Sequence, residues 1–196
     1  MTSAELTLDR TRGNPLPGDF AIWIFIFAEL GVFGLLFIAY AFTRAGDVEL
    51  FNASQSLLDR RSGAVNTLAL ITSSYFVVRA VAAIKRDRAA VCSRWLIAAL
   101  GMGTVFIVVK SAEFYAKFSE GVGLDTNTFY MFYLSLTFFH YMHVWMGMVI
   151  LAVVAWKAAQ GHYHAGAHTG VETGASYWHM VDLVWLILFP LVYVIR

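Results

Sequence analysis

FAIWIFIFAELGVFGLLFIAYAF (residues 20–42) is the stretch that decides the fold, because it holds a single charged residue, Glu29. The hydrocarbon core of a bilayer is about 30 Å thick and takes about 20 apolar residues in a helix rising about 1.5 Å each. This run is long enough to cross it. Four further runs meet the same length, at Ala64–Ile84, Trp95–Ala116, Thr128–Trp156 and Ala175–Ile195. They are continuous rather than alternating, which excludes the ten-residue strands of a transmembrane barrel. The fourth exceeds the core thickness and has to tilt or project from it. The sequence therefore predicts an all-α membrane protein, a five-transmembrane-helix bundle.

Composition agrees. The 196 residues are 59% hydrophobic and 14% charged, against about 25% charged in soluble domains. A net charge of +1 without a clustered basic face speaks against a nucleic-acid partner. Cys92 is the only cysteine, so an intrachain disulfide, a CxxC pair, a CxxCH haem attachment and a two-cysteine copper site are all excluded. Residues 1–19 are polar and lack the apolar core of a secretory signal. The expected organisation is a polar cytoplasmic segment, 1–19, followed by one transmembrane domain, 20–196.

Lysine and arginine near the run ends set the orientation. With the N-terminus inside, the inner face collects Arg10, Arg12, Lys85, Arg86, Arg88, Arg94 and Lys157, with Arg79 able to snorkel toward it. The outer face collects Arg44, Arg60, Arg61, Lys117 and Arg196. The bias gives an inside N-terminus and an outside C-terminus. The longest link, Thr43–Gly63, carries Phe51, Leu57 and Leu58 among polar residues and suits the interface. In the link Gln160–Gly174, His162, His164 and His168 read as solvated histidines of a glycine-rich loop, with metal ligation the alternative. Pro190 is placed to kink the last run.

Ionisable groups inside a bilayer cost about 2.5–3.5 kcal/mol each on insertion scales, so each requires a partner or a purpose. Glu29 falls near mid-bilayer beside Gly31 and Gly34, either as a proton-handling carboxylate or as one that locks helix packing. Lys110 and Glu113 are three residues apart, share a helix face and can pair directly. His140 and His143, with Gly147 four further on, form a polar and small face of the kind that lets helices approach. A two-histidine haem using His143 and His179 is the sharper alternative. His179 and Asp182 repeat the three-residue spacing, the carboxylate orienting the imidazole. Asn66, Ser73 and Ser74 give the second run a polar stripe that reads as helix–helix adhesive.

Taken together, NTLALITSS (66–74), KSAEFY (110–115), FHYMHVWMG (139–147) and YWHMVDLVW (177–185) resemble subunit III of the haem–copper cytochrome oxidases, and Glu29 in FAELGVFG (27–34) matches that family's intramembrane glutamate. The resemblance covers residues 18–195 and corresponds to the last five of the seven helices of the larger family members. Within the family, LFNASQSLLDRRSGAVNTL (50–68), Lys110 and LFPLVY (188–193) look closest to the NorE-type proteins associated with nitric oxide reductase.

The resemblance implies a non-catalytic accessory subunit of a bacterial inner membrane that binds no haem, copper or other metal itself. Phospholipid is the one ligand it suggests, and haem belongs to the catalytic partner, met through the first two helices. It carries functional weight over to Glu29, Lys110, Glu113, His140, His143, His179 and Asp182. A nitric oxide reductase of denitrification is the expected complex, and a terminal cytochrome c or quinol oxidase is the alternative. A small proton channel or transporter, and an autonomous haem protein, are the remaining readings.

Overall fold

The computed structural model describes residues 18–195. The polar segment 1–17, with Arg10 and Arg12, and the terminal Arg196 lie outside the described residues. The described residues are helical almost throughout: α1 Phe20–Gly46, α2 Val48–Ser56, α3 Arg60–Ile84, α4 Ala89–Ser119, α5 Thr128–Ala159 and α6 Thr169–Phe189, closed by a π-helical turn at Pro190–Val194. Five of these elements are long and apolar enough to cross a membrane: α1, α3, α4, α5 and α6 with its π turn.

α3, α4 and α6 start before their apolar runs, at Arg60, Ala89 and Thr169, whereas α1 and α5 start where the runs do. Asp19, Asp59 and Asn127 each accept a backbone N–H of the helix that follows, satisfying donors left open in a first turn. Gly121 and Gly161, with φ of +78° and +75°, end α4 and α5. The amides of Gly121 and Val122 return to the carbonyls of Phe118 and Lys117, and those of Gly161 and His162 to Ala158 and Lys157. This is the left-handed C-terminal closure that glycine favours. The link assigned to the interface contains a helix of its own, α2, capped by Asp47 at Leu50.

Two ends of the bundle are each tied across elements. At one end, which holds the starts of α1, α4 and α6, Gly18 N–H donates to Glu172 Oε2, Lys85 pairs with Glu172 and Ala165 N–H donates to Asp87. At the opposite end, Asn127 donates to Ser54, Lys117 to the Leu57 carbonyl and Gln55 to the Val192 carbonyl.

The core runs between α3, α4, α5 and α6, where Trp178, Trp185, Tyr133, Tyr177, Tyr193, Phe106 and Leu70 are fully buried. Close approach there depends on missing side chains. A Cβ on Gly147 would stand 2.8 Å from Trp178 Cε3, and one on Gly63 would stand 2.6 Å from Phe189 Cε2. α1 is different: only Ile26, Phe33 and Tyr40 are buried, at heptad spacing. Gly31 and Gly34 face open space.

Candidate functional site

Three polar constellations sit between the spanning helices. The first joins α1 to α5. Glu29 Oε2 lies 3.0 Å from His143 Nε2, and His143 Nδ1 lies 2.8 Å from the Phe139 carbonyl. The backbone acceptor places the proton on Nδ1, so Nε2 and Glu29 share a second proton or carry opposite charges. Phe33 and Phe139 pack edge-on against the imidazole, with ring centroids 5.3 and 4.7 Å away. Tyr177 donates to the His143 carbonyl at 3.3 Å.

The second is the most enclosed. Lys110 is fully buried and Glu113 is 8% exposed; Nζ meets Glu113 Oε2 at 3.1 Å and Tyr193 Oη at 2.7 Å. Tyr133 and Tyr193 both donate to Glu113 Oε1 at 2.6 Å. Rings of Phe114, Tyr133, Trp185 and Tyr193 surround the ammonium with centroids 4.9–5.8 Å away, a cation–π cage that offsets part of the lost hydration.

The π turn delivers Tyr193 to this cluster. Pro190 has no N–H and interrupts the α-helical ladder, Ile195 N–H returns five residues to the Pro190 carbonyl, and buried Gln55 takes the Val192 carbonyl. The expected kink at Pro190 is therefore a local change of helix type.

In the third, Ser74 Oγ of α3 lies 2.7 Å from His179 Nδ1 of α6, while Asp182 Oδ2 stands 3.6 Å from the same nitrogen. The serine is the direct partner and the carboxylate acts across a longer gap. Of the stripe on α3, Ser73 donates to the Ala99 carbonyl of α4 at 2.9 Å. Asn66 is fully buried, yet neither its side-chain oxygen nor its nitrogen meets a protein partner. The adhesive role expected of Asn66 is absent from its hydrogen bonding.

His140 and His143 do not act together, although the spacing put them on one face. His143 turns to α1, whereas His140 is fully buried against Phe106 and Trp185 with both ring nitrogens unbonded. Gly147 serves Trp178 rather than either histidine. The haem alternative required His143 and His179 on one ligand, and they are held by Glu29 and Ser74 instead. His164 is bound up in a turn with Ala167, and His168 lies 3.4 Å from Glu172. Among the described residues no group of three or more histidines, cysteines or carboxylates could hold a metal.

Tyr133 and Tyr193 are the polar-site residues that sequence reasoning missed. In an aromatic-rich chain a tyrosine reads as an interface anchor. The available signal was a fully apolar neighbourhood containing one lysine and one glutamate, whose remaining hydrogen bonds had to come from nearby hydroxyls.

These features define a polytopic α-helical membrane protein whose buried charges are matched by one another. Comparison with known proteins takes the assignment further. The model for the family described as cytochrome c oxidase subunit III matches residues 18–195, and the chain belongs to that family. It is 33% identical to a cytochrome c oxidase subunit 3 of Thermostichus vulcanus, over 97% of this chain and 93% of that protein. It is 30% identical to a heme-copper oxidase subunit I+III of Aeropyrum pernix, over 92% of this chain and 23% of that longer one. A cytochrome bo(3) ubiquinol oxidase subunit 3 of Buchnera aphidicola is 23% identical over 89% of this chain and 84% of its own length.

The closer likeness to NorE-type proteins is not supported, since these relatives carry the names of cytochrome c and quinol oxidases. The three segments that suggested it meet at one place in the fold: Gln55 holds the turn that carries Tyr193, and Tyr193 holds Lys110.

Proposed function

We propose that the chain is a non-catalytic subunit III of a terminal haem–copper oxidase, where it supports the assembly, stability or proton handling of the catalytic subunit. The family match across residues 18–195 carries this reading. The relative whose name joins subunits I and III in one chain supports a subunit I-type partner. The oxidase names of the relatives favour this complex over a nitric oxide reductase of denitrification. In this reading haem and copper reside in the partner, and this chain contributes packing and the Glu29–His143 couple.

The sparsely buried α1, with exposed Phe27, Leu35 and Ile38, is the flank that a partner helix or phospholipid covers. The basic residues between α3 and α4 favour a cytoplasmic N-terminus and a periplasmic C-terminus in a bacterial cell membrane. Mild solubilisation, capture through this chain and a visible spectrum of the captured complex test the assignment. A haem spectrum accompanied by oxygen consumption is expected. Recovery of the chain alone from several mild detergents, or with a haem protein that reduces nitric oxide and not oxygen, refutes it.

A further inference from the structure

A groove of about 360 Å³ opens between α3 and α6, away from the Glu29 and Lys110 constellations. Its walls are Val78, Val81, Ala82 and Ala175, and its polar groups are Lys85, Glu172, Ser176 and His179. The polar groups are graded with depth. Glu172 is three residues into α6 and His179 ten, so at 1.5 Å per residue they sit about 10 Å apart along the axis.

At the mouth Lys85 and Glu172 neutralise each other at 2.8 Å. A phosphate entering there gains no net attraction and meets a carboxylate. Deeper down, only His179 and Ser176 offer hydrogen bonds between apolar walls, at a depth that suits an uncharged group.

The ring of His179 is fixed from behind. Ser74 Oγ holds Nδ1 at 2.7 Å, and the Asp182 carboxylate lies 3.6 Å from the same nitrogen. A nearby carboxylate favours the tautomer with the proton on Nδ1, which Ser74 Oγ then accepts. Among the described residues Nε2 makes no hydrogen bond, and it is left as an acceptor. Such a site selects a membrane-soluble, uncharged headgroup carrying a hydroxyl donor. We propose that this groove binds a quinol, with one ring hydroxyl donating to His179 Nε2 and the apolar tail leaving along Val78 and Val81. The oxidised quinone, which has only carbonyl acceptors to offer, can take a hydrogen bond from Ser176 but loses the one to His179 Nε2, and binds more weakly.

The test uses the full chain in phosphatidylcholine nanodiscs under reducing, anaerobic conditions. The probe is a short-chain benzoquinol carrying a diazirine on its tail, with labelled peptides mapped by mass spectrometry. Expected is saturable labelling confined to peptides spanning residues 78–85 and 172–179. A reduced competitor should displace the probe at least tenfold more effectively than the same compound oxidised.

His179→Phe should lower saturable labelling at least tenfold. So should Ala82→Phe, which narrows the groove while keeping the imidazole; circular dichroism and monodispersity confirm that both are folded. Non-saturable labelling spread over the lipid-facing helices, equal competition by the oxidised form, or undiminished labelling of folded His179→Phe overturns the proposal. Displacement by added phosphatidylglycerol or phosphatidylethanolamine as readily as by quinol overturns it in favour of a lipid site. The measurement is made on this chain alone, so its failure leaves the assignment as an oxidase subunit intact, and failure of that assignment leaves this result standing.

Discussion

Consider Glu113→Gln. The amide is nearly isosteric and keeps an oxygen for the Tyr133 and Tyr193 hydroxyls, which both reach Oε1 at 2.6 Å. It therefore creates no cavity and strands no hydroxyl. What it removes is the negative charge 3.1 Å from a lysine with no exposed surface. Breaking a buried ion pair by deleting one partner costs about 3–5 kcal/mol, because the other charge stays desolvated and uncompensated. At about 1.4 kcal/mol per decade, that is roughly 10²- to 10⁴-fold in the folding equilibrium.

The aromatic cage around Nζ argues for the lower half of the range, since cation–π contacts of about 0.5–2 kcal/mol each survive the substitution. Lys110→Met should cost a similar amount by isolating the carboxylate. The double variant, with no charge left to bury, should return to within about 1–2 kcal/mol of the parent. Unfolding in mixed mild-detergent and SDS micelles, followed by tryptophan fluorescence, supplies all corners of the cycle. Additive losses in the double variant, or a loss below about 1 kcal/mol for Glu113→Gln, would refute the idea that the pair is a buried, mutually dependent unit.

Further outcomes follow from the same geometry. Gly147→Ala should destabilise the bundle by about 1–3 kcal/mol through overpacking, because its Cβ would fall 2.8 Å from the Trp178 ring. Gly31→Ala, with nothing within 4 Å, should leave the melting temperature unchanged or slightly raised. Pro190→Ala permits an unbroken α-helix and rotates Tyr193 off Lys110, so its destabilisation should match that of Tyr193→Phe, about 1–3 kcal/mol, in the same assay. Glu29→Ala should change the stability or turnover of the purified complex by a few-fold and leave haem content intact; complete loss of turnover in an assembled complex would show a direct role in the chemistry.

Asp59, which caps α3 outside the span, is held below the 3.8 of a free aspartate by the Ser62 hydroxyl first; burial, the next largest effect, opposes this, and the backbone amides of Arg61 and Ser62 and the Arg61 charge add to the lowering. Its depressed folded-state value means that its contribution is complete above pH about 4. That contribution fades as pH falls through the lower folded value. The difference in melting temperature between parent and Asp59→Ala should therefore shrink on acidification below pH 4 and stay constant above it.

Five spans were legible in the sequence because hydrocarbon imposes a length and an apolar composition that the local chain must satisfy by itself. The pairing of Lys110 with Glu113 was legible for the same reason, since both residues lie on one turn of one helix. So was the family, whose residues are distributed along the whole chain. Contacts between helices were not. Spacing put His140 beside His143, whereas packing separated them; it also gave Asp182 to His179, and packing keeps that contact at 3.6 Å while adding Ser74 as the closer partner.

Asp182→Ala should on this geometry disturb folding less than Lys110→Ala, because Ser74 still holds His179. The Glu29–His143 bond closes over 114 residues and the Lys110–Tyr193 bond over 83. The groove between α3 and α6 likewise exists only once two distant segments lie side by side. Composition fixes where each helix crosses the bilayer; which buried polar group meets which depends on how the helices rotate against one another, and that is a property of the assembled bundle.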